Sequence, residues 1–282
     1  MSLVVTGATG HLGRLVITSL LDRGVAADQV VALGRDEERL AALAALGVTT
    51  RRVDYADAKA LADALAGADR VLLISGSEVG QRLPQHQNVI DAAVAAGVSL
   101  LAYTSIANAD TSGIALAVEH RATEEAIVAS GLPHAFLRNS WYLENYTDQL
   151  PTYVEHGTVL GAAGDGRVSA ATRADLAEAA AAVLLLDEPK RVHELGGAAF
   201  SLKELAATVS EVTGADVAHA DVPAEELTKV LVGAGLPEPF AAALADADLG
   251  IGRGELYVEP DDLEQLLGRP ATSLADALRA AR

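Results

Sequence analysis

The sequence predicts an α/β fold, a doubly wound parallel sheet covered by helices on both faces. Three observations predict it. Short apolar segments alternate with helical ones through the first half of the chain. A glycine-rich turn, Gly7–Gly13 (GATGHLG), joins the first strand to the first helix. The chain has 282 residues, 50% of them hydrophobic, enough to cover a sheet on both sides.

In order, Ser2–Thr6 is a first strand, and Leu12, Leu15, Val16, Ser19 and Leu20 recur at helical spacing. Val30–Leu33 is a second strand and Glu37–Leu46 a helix. Thr49–Val53 is a third strand, followed by a helix over Asp57–Leu65. Arg70–Ile74 is a fourth strand, and Pro84–Ala96 a helix ended by Gly97. Leu100–Thr104 is a fifth strand, and Leu116–Ser130 a helix stopped by Gly131. His134–Arg138 is a sixth strand. These strands are short and mostly apolar, as in a parallel sheet with both faces covered.

After Asn139 the rhythm changes. Short strands at Thr158–Leu160, Val192–Leu195 and Asp216–Val222 mix with helices starting near Arg173, Leu202, Ala224 and Ser273. Thr172 with Asp175, and Ser201 with Glu204, have the spacing of capping boxes. The expected organisation is a dinucleotide-binding domain over 1–140 and a smaller C-terminal α/β lobe over 141–282. Segments near 172–196 are expected to return to the first domain.

A strand, a glycine turn and a helix N-terminus make a phosphate site, because free N–H groups and the helix dipole favour negative charge there. Gly7 fits the tight turn, Gly10 the close approach of a pyrophosphate, and Gly13 close packing of helix on sheet. The second strand ends Leu33-Gly34-Arg35. An acid at that place would hold a ribose 2′-hydroxyl, whereas arginine pairs with a 2′-phosphate, so NADPH is expected over NADH. Asp54 is either an adenine contact or a helix cap. Ser75, Gly76 and Ser77 follow the fourth strand, where small residues leave room for ribose and phosphates.

Composition removes several classes of function. The chain has no cysteine, hence no disulfide, thiol nucleophile or thiolate metal site. Its formal charge of −18 opposes nucleic acid and anionic membranes. The apolar run Ala179–Leu186 is too short to span a bilayer. A cytoplasmic location is expected. The usual tyrosine–lysine proton donor of a short-chain dehydrogenase is represented only by Tyr55 and Lys59, at the adenine end and away from any nicotinamide.

Longer segments carry a resemblance: TGATGHLG, LLISGSEVGQRLPQHQNVIDAA, AYTS followed by NADTS, LRNSWYLENY, GAAGDGRVSAATRADLA and LLGRPATSLADAL. Through them nearly the whole chain resembles the NmrA-like atypical short-chain dehydrogenases. Within that family it is most similar to the bacterial type 2 NAD(P)H:quinone oxidoreductases, with triphenylmethane-dye reductases as near relatives. The resemblance implies a Rossmann-like fold and NADPH contacts at Gly7, Ala8, Thr9, Gly10, His11 and Leu12, and at Arg35. It implies further contacts at Ser75, Gly76 and Ser77, at Asn139, Ser140, Trp141, Tyr142, Leu143 and Glu144, and near Ala170, Ala171, Thr172, Arg173, Ala174 and Asp175. His11 stands where the family usually has glutamine.

The expected reaction is NADPH-dependent two-electron reduction of a quinone by direct hydride transfer, giving a hydroquinone. Quinones accept hydride readily, which fits the missing tyrosine–lysine pair. Trp141 and Tyr142 are expected to bind the substrate, with Trp141 either a pocket wall or a core aromatic. His120 is the candidate catalytic residue, able to donate a proton near neutral pH, or else a helix-surface histidine. The alternatives are a reductase of triphenylmethane dyes or other conjugated electrophiles, and a non-catalytic NADP(H)-binding redox sensor with a poor substrate cleft.

Overall fold

The computed structural model describes every residue except Ser77 and Val79. The strands are β1 Leu3–Val5, β2 Val30–Gly34, β3 Thr49–Arg52, β4 Arg70–Leu73, β5 Leu100–Ile106, β6 His134–Asn139, β7 Thr158–Gly161, β8 Arg167–Val168, β9 Val192–Leu195, β10 Phe200–Ser201 and β11 Ala218–Asp221. Seven of them form a parallel sheet ordered β3-β2-β1-β4-β5-β6-β9. The strand order reverses between β1 and β4. Their carboxyl ends therefore flank a crevice, the place where open α/β sheets bind ligands.

The helices over the first half are α1 His11–Asp22, α2 Glu37–Ala44, α3 Ala58–Leu65, α4 Arg82–Ala96 and α5 Ala115–Ser130. Later come α6 Glu144–Thr147, α7 Leu150–His156, α8 Arg173–Leu185, α9 Leu202–Thr213, α10 Ala224–Gly233, α11 Glu238–Gly252, α12 Asp261–Leu267 and α13 Leu274–Ala280. Period-two alternation in β1 sends Leu3 and Val5 into the core against α1 and α8, and Val4 into the core against α3 and α4. Helix α8 is buried nearly all round (Leu176, Ala177 and Ala179–Leu184) because it lies against the sheet, α1 and α12 together.

The first-half elements match the expected ones to within a few residues, with β5 running on to Ile106 and β6 to Asn139. Ser201 and Glu204 form a complete capping box. Thr172 caps α8 through the Asp175 N–H, but the Asp175 carboxylate turns away to the Thr272 N–H (2.8 Å) and Arg269 (2.9 Å). The second lobe is built from pairs of strands distant in sequence, β7 with β11 in parallel and β8 with β10 antiparallel. In it the partly buried Asp248 accepts the Ala162 N–H at 2.8 Å. Strands β8 and β10 and helices α6, α7, α11 and α12 were not expected from the sequence.

Candidate active site

The glycine turn is built as its residue types require. Gly7 adopts φ +60°, a left-handed conformation that favours glycine. Gly10 is the N-cap of α1, and a Cβ there would meet only the Gly7 carbonyl, at 3.2 Å. A Cβ on Gly13 would lie 2.5 Å from that carbonyl and 2.7 Å from the Ala8 Cα. Gly13 thus serves helix–loop packing, while Gly10 leaves its open side to the cleft. Gly34 has a similar role, since a Cβ would strike the Thr9 side chain at 2.5 Å.

Two cavities meet at the carboxyl edge of the sheet. The first, about 480 Å³, is lined by Gly7, Thr9, Gly10, His11, Leu12, Arg35, Asp54, Ser75 and Gly76. The second, about 610 Å³, is lined by His120, Asn139, Ser140 and Trp141, and by apolar residues of α5 and α11. Ser75, Tyr142 and Arg173 belong to both. Arg35 bonds Glu78 (2.6 Å) and approaches Asp54 (3.6 Å). Asp36, the acid beside it, is used as the N-cap of α2. Asp57, not Asp54, caps α3, which leaves Asp54 on the cleft. Arg39, not singled out from the sequence, also lines the cleft and donates to the Thr9 carbonyl (3.0 Å).

Several of the expected contact residues lie away from the two cavities. Ala8, Leu143, Ala170 and Ala171 are buried in the cores, so their side chains face protein and line neither cavity. Asp175 is 1% exposed and committed to Arg269 and Thr272. Thr172 caps α8, Ala174 is exposed on it, and Glu144 accepts the Arg173 N–H at 2.8 Å. These three line neither cavity, and Glu144 holds Arg173 in place through its N–H and, at 3.7 Å, its guanidinium. Ser77 lies outside the described residues. Tyr55 and Lys59 do not act together. The Tyr55 hydroxyl is buried against Thr6 and the Ile74 carbonyl (2.8 Å), while Lys59 is exposed and paired with Asp63 (2.6 Å).

His120 lines the second cavity. It is 6% exposed, not a helix-surface residue. Its Nδ1 lies 2.7 Å from the Tyr103 hydroxyl and its Nε2 faces Arg82 Nη1 at 3.4 Å. Burial first, then the charge of Arg82, pull its pKa well below the ordinary range. Burial therefore disfavours the imidazolium, and both ring nitrogens face protein groups. Its neighbours form a network that sequence reasoning missed. The Gly76 N–H donates to His86 Nε2 (3.0 Å), and the Gly76 carbonyl accepts from Arg82 Nε (2.6 Å). His86 in turn contacts the Thr123 hydroxyl (3.0 Å), and burial lowers its pKa to about 4. Helix α4 thus fixes the loop after β4 by both backbone groups of one glycine.

Residues 7–187 match the NAD(P)H-binding family. The chain belongs to that family. This NAD(P)H-binding protein is 46% identical to quinone oxidoreductase 2 of Escherichia coli strain K12, over 98% of this chain and 97% of the relative. The structure of an E. coli NADPH-dependent quinone oxidoreductase complexed with NADPH superposes with a TM-score of 0.96 at 46% identity, covering 99% of each chain. Triphenylmethane reductase of Citrobacter sp., complexed with NADP(H), gives a TM-score of 0.95 at 40% identity over 100% of each chain. The fold is accordingly that of Rossmann-like NADPH-binding reductases. Among the described residues, no helix is long and apolar enough to cross a membrane.

Proposed function

We propose that this protein is an NADPH-dependent quinone reductase that makes hydroquinones by two-electron reduction. The observation that carries this reading is the junction of the two cavities at Ser75, Tyr142 and Arg173. A nucleotide laid along Gly7–Leu12 and Arg35 ends where the apolar cavity begins. NADPH supplies the hydride when bound. Gly10 and the α1 N-terminus receive its pyrophosphate, and Arg35, with Arg39 beside it, receives the 2′-phosphate. The positive φ of Gly7 and the open side of Gly10 fit that use.

Trp141, Tyr142, Leu116 and Phe240 wall the second cavity. Phe240 is 56% exposed, an apolar side chain at the mouth that a flat ring would cover. The protein's share of the chemistry is orientation and exclusion of water; protons for the product oxygens come from solvent. His120 holds Tyr103 behind the cavity and faces Arg82 in its wall. An open cavity of this size favours turnover over a sensing role. The division at about residue 140, with 172–196 returning to the first domain, is the arrangement that places the substrate between the two parts. The reading is of a cytoplasmic enzyme with no nucleic-acid partner. The test is NADPH consumption with a panel of quinones, each product identified. Hydroquinone in equal amount to NADPH consumed supports the reading, and no consumption with any quinone overturns it.

A further inference from the structure

The charge on the substrate is legible in the second cavity. Arg82 and Arg173 line it, and no Asp or Glu does among the described residues. This holds in a chain whose formal charge is −18. Glu119 lies 3.9 Å from Arg82 and Glu144 3.7 Å from Arg173, and neither is a wall of the cavity. Arg82 is mostly buried, with a side chain 11% exposed. The distant surface acids are screened over roughly 8 Å at physiological salt, whereas a buried guanidinium is not. Each arginine is ion-paired to one acid behind the wall, Arg82 to Glu119 and Arg173 to Glu144, so the charged groups that a ligand meets at the wall itself are the two guanidiniums.

A second observation concerns polarity. Ser105 Oγ and Asn139 Oδ1 are buried in residues 4% and 6% exposed, and both residues line the cavity. Among the described residues neither atom has a hydrogen-bond partner, and buried polar atoms seldom stay unpaired. The Ser105 hydroxyl is a free donor suited to a carbonyl oxygen. A triarylmethane cation bearing only dialkylamino groups offers it no carbonyl, and it brings its positive charge beside two arginines.

We infer that this cavity selects neutral and anionic multi-ring quinones and rejects cationic dyes, which separates the chain from its dye-reducing relative. The inference rests on the quinone-reductase reading and narrows its substrate. The balanced step is NADPH, quinone and one solvent proton giving NADP⁺ and hydroquinone, with two electrons leaving the cofactor as hydride.

Trp141 is the single tryptophan and lines the cavity, so its fluorescence reports occupancy without turnover. Three probes are titrated against the protein with absorbance corrected: 2-methyl-1,4-naphthoquinone, anthraquinone-2-sulfonate and crystal violet. The sulfonate is expected to bind at least as tightly as the naphthoquinone, and crystal violet at least about tenfold more weakly than either. Ala243, a half-buried residue of the wall on α11, takes a charge of either sign. Ala243→Asp should tighten the dye and loosen the sulfonate, and Ala243→Lys should do the reverse. Dye binding equal to or tighter than that of the sulfonate in the unmodified protein overturns the inference, whether or not either variant folds. Turnover of the neutral naphthoquinone is measured in parallel. If neither it nor any other quinone of the panel is reduced, the quinone-reductase reading fails, while the order of binding still judges the charge selection.

Discussion

The guanidinium of Arg173 lies 4.6 Å above the ring centroid of Tyr142, and both residues line both cavities. A cation over an aromatic face is worth about 0.5–2 kcal/mol, depending on how far it is desolvated. Tyr142→Phe keeps the ring and should leave both affinities within a few-fold. Tyr142→Leu should weaken NADPH and quinone together by roughly 3–30-fold, because the freed arginine serves both sites. Isothermal titration with NADPH and steady-state KM for quinone check it; loss for one ligand alone would show that the pair is not shared.

Arg35 should set the choice of cofactor. Its guanidinium sits at the end of β2 on the first cavity, bonded to Glu78 and near Asp54. Arg35→Ala should cost about 1.5–3 kcal/mol of NADPH affinity and leave NADH nearly unchanged. Equal losses for both cofactors would remove the 2′-phosphate from this position.

Gly10 and Gly13 should fail in different ways. Gly10→Ala meets only one carbonyl at 3.2 Å, so the variant should melt within a few degrees of the parent yet bind NADPH poorly. Gly13→Ala drives a methyl into backbone at 2.5 Å and should lower the melting temperature strongly. A Gly10→Ala protein with normal NADPH affinity would move the phosphate site elsewhere.

Trp141 is half-buried and packs against the second-lobe core while lining the cavity. Trp141→Ala should raise the quinone KM at least tenfold and change NADPH affinity much less. Full burial would instead cost about 3–5 kcal/mol of stability. Calorimetry beside the two titrations separates these: a large fall in melting temperature with proportionate loss of both affinities would make Trp141 a core residue.

Asp248 should give the second lobe an unusual pH dependence. Burial, reinforced by Asp221, pushes its carboxyl up to about 6. The folded state then binds this proton more tightly than the unfolded chain does, so its contribution to stability grows as pH falls from about 6 toward 3.8. Asp248→Asn keeps an acceptor for the Ala162 N–H and removes the charge. It should stabilise the protein by about 1–3 kcal/mol at pH 8 and by little at pH 4. Urea titrations at both values test this, and a less stable variant at pH 8 would refute it.

Most of the sheet was legible in the sequence because β1, β2, β4, β5 and β6 each carry an apolar run between turn residues, and Gly7–Gly13 and Arg35 advertise their chemistry locally. Strands β8 and β10 were not legible: two residues give no alternation, and Arg167–Val168 pairs with Phe200–Ser201 only through the fold. Helix α11 begins in Pro237-Glu238-Pro239, which reads as a loop although proline suits a first helical turn. At the site, the burial of His120 and the clamp on Gly76 depend on α4 and α5 meeting over β5, which residue types on a single segment do not reveal.

The return of the chain to the main sheet as β9 has a consequence for how the protein can be cut. Strand β9 covers the edge of β6, pairing Phe136–Asn139 with Val192–Leu195, and α8 fills the groove beside α1. A fragment ending near residue 140 would carry the whole glycine turn and still lack both. Its bare β6 edge would be a template for other strands, and the apolar face of α1 would be left wet. Neither half is therefore a portable module: fusions, split reporters or domain exchanges joined at that point should yield aggregates, whereas the exposed surface turn at Gly235 is a safer place to open the chain.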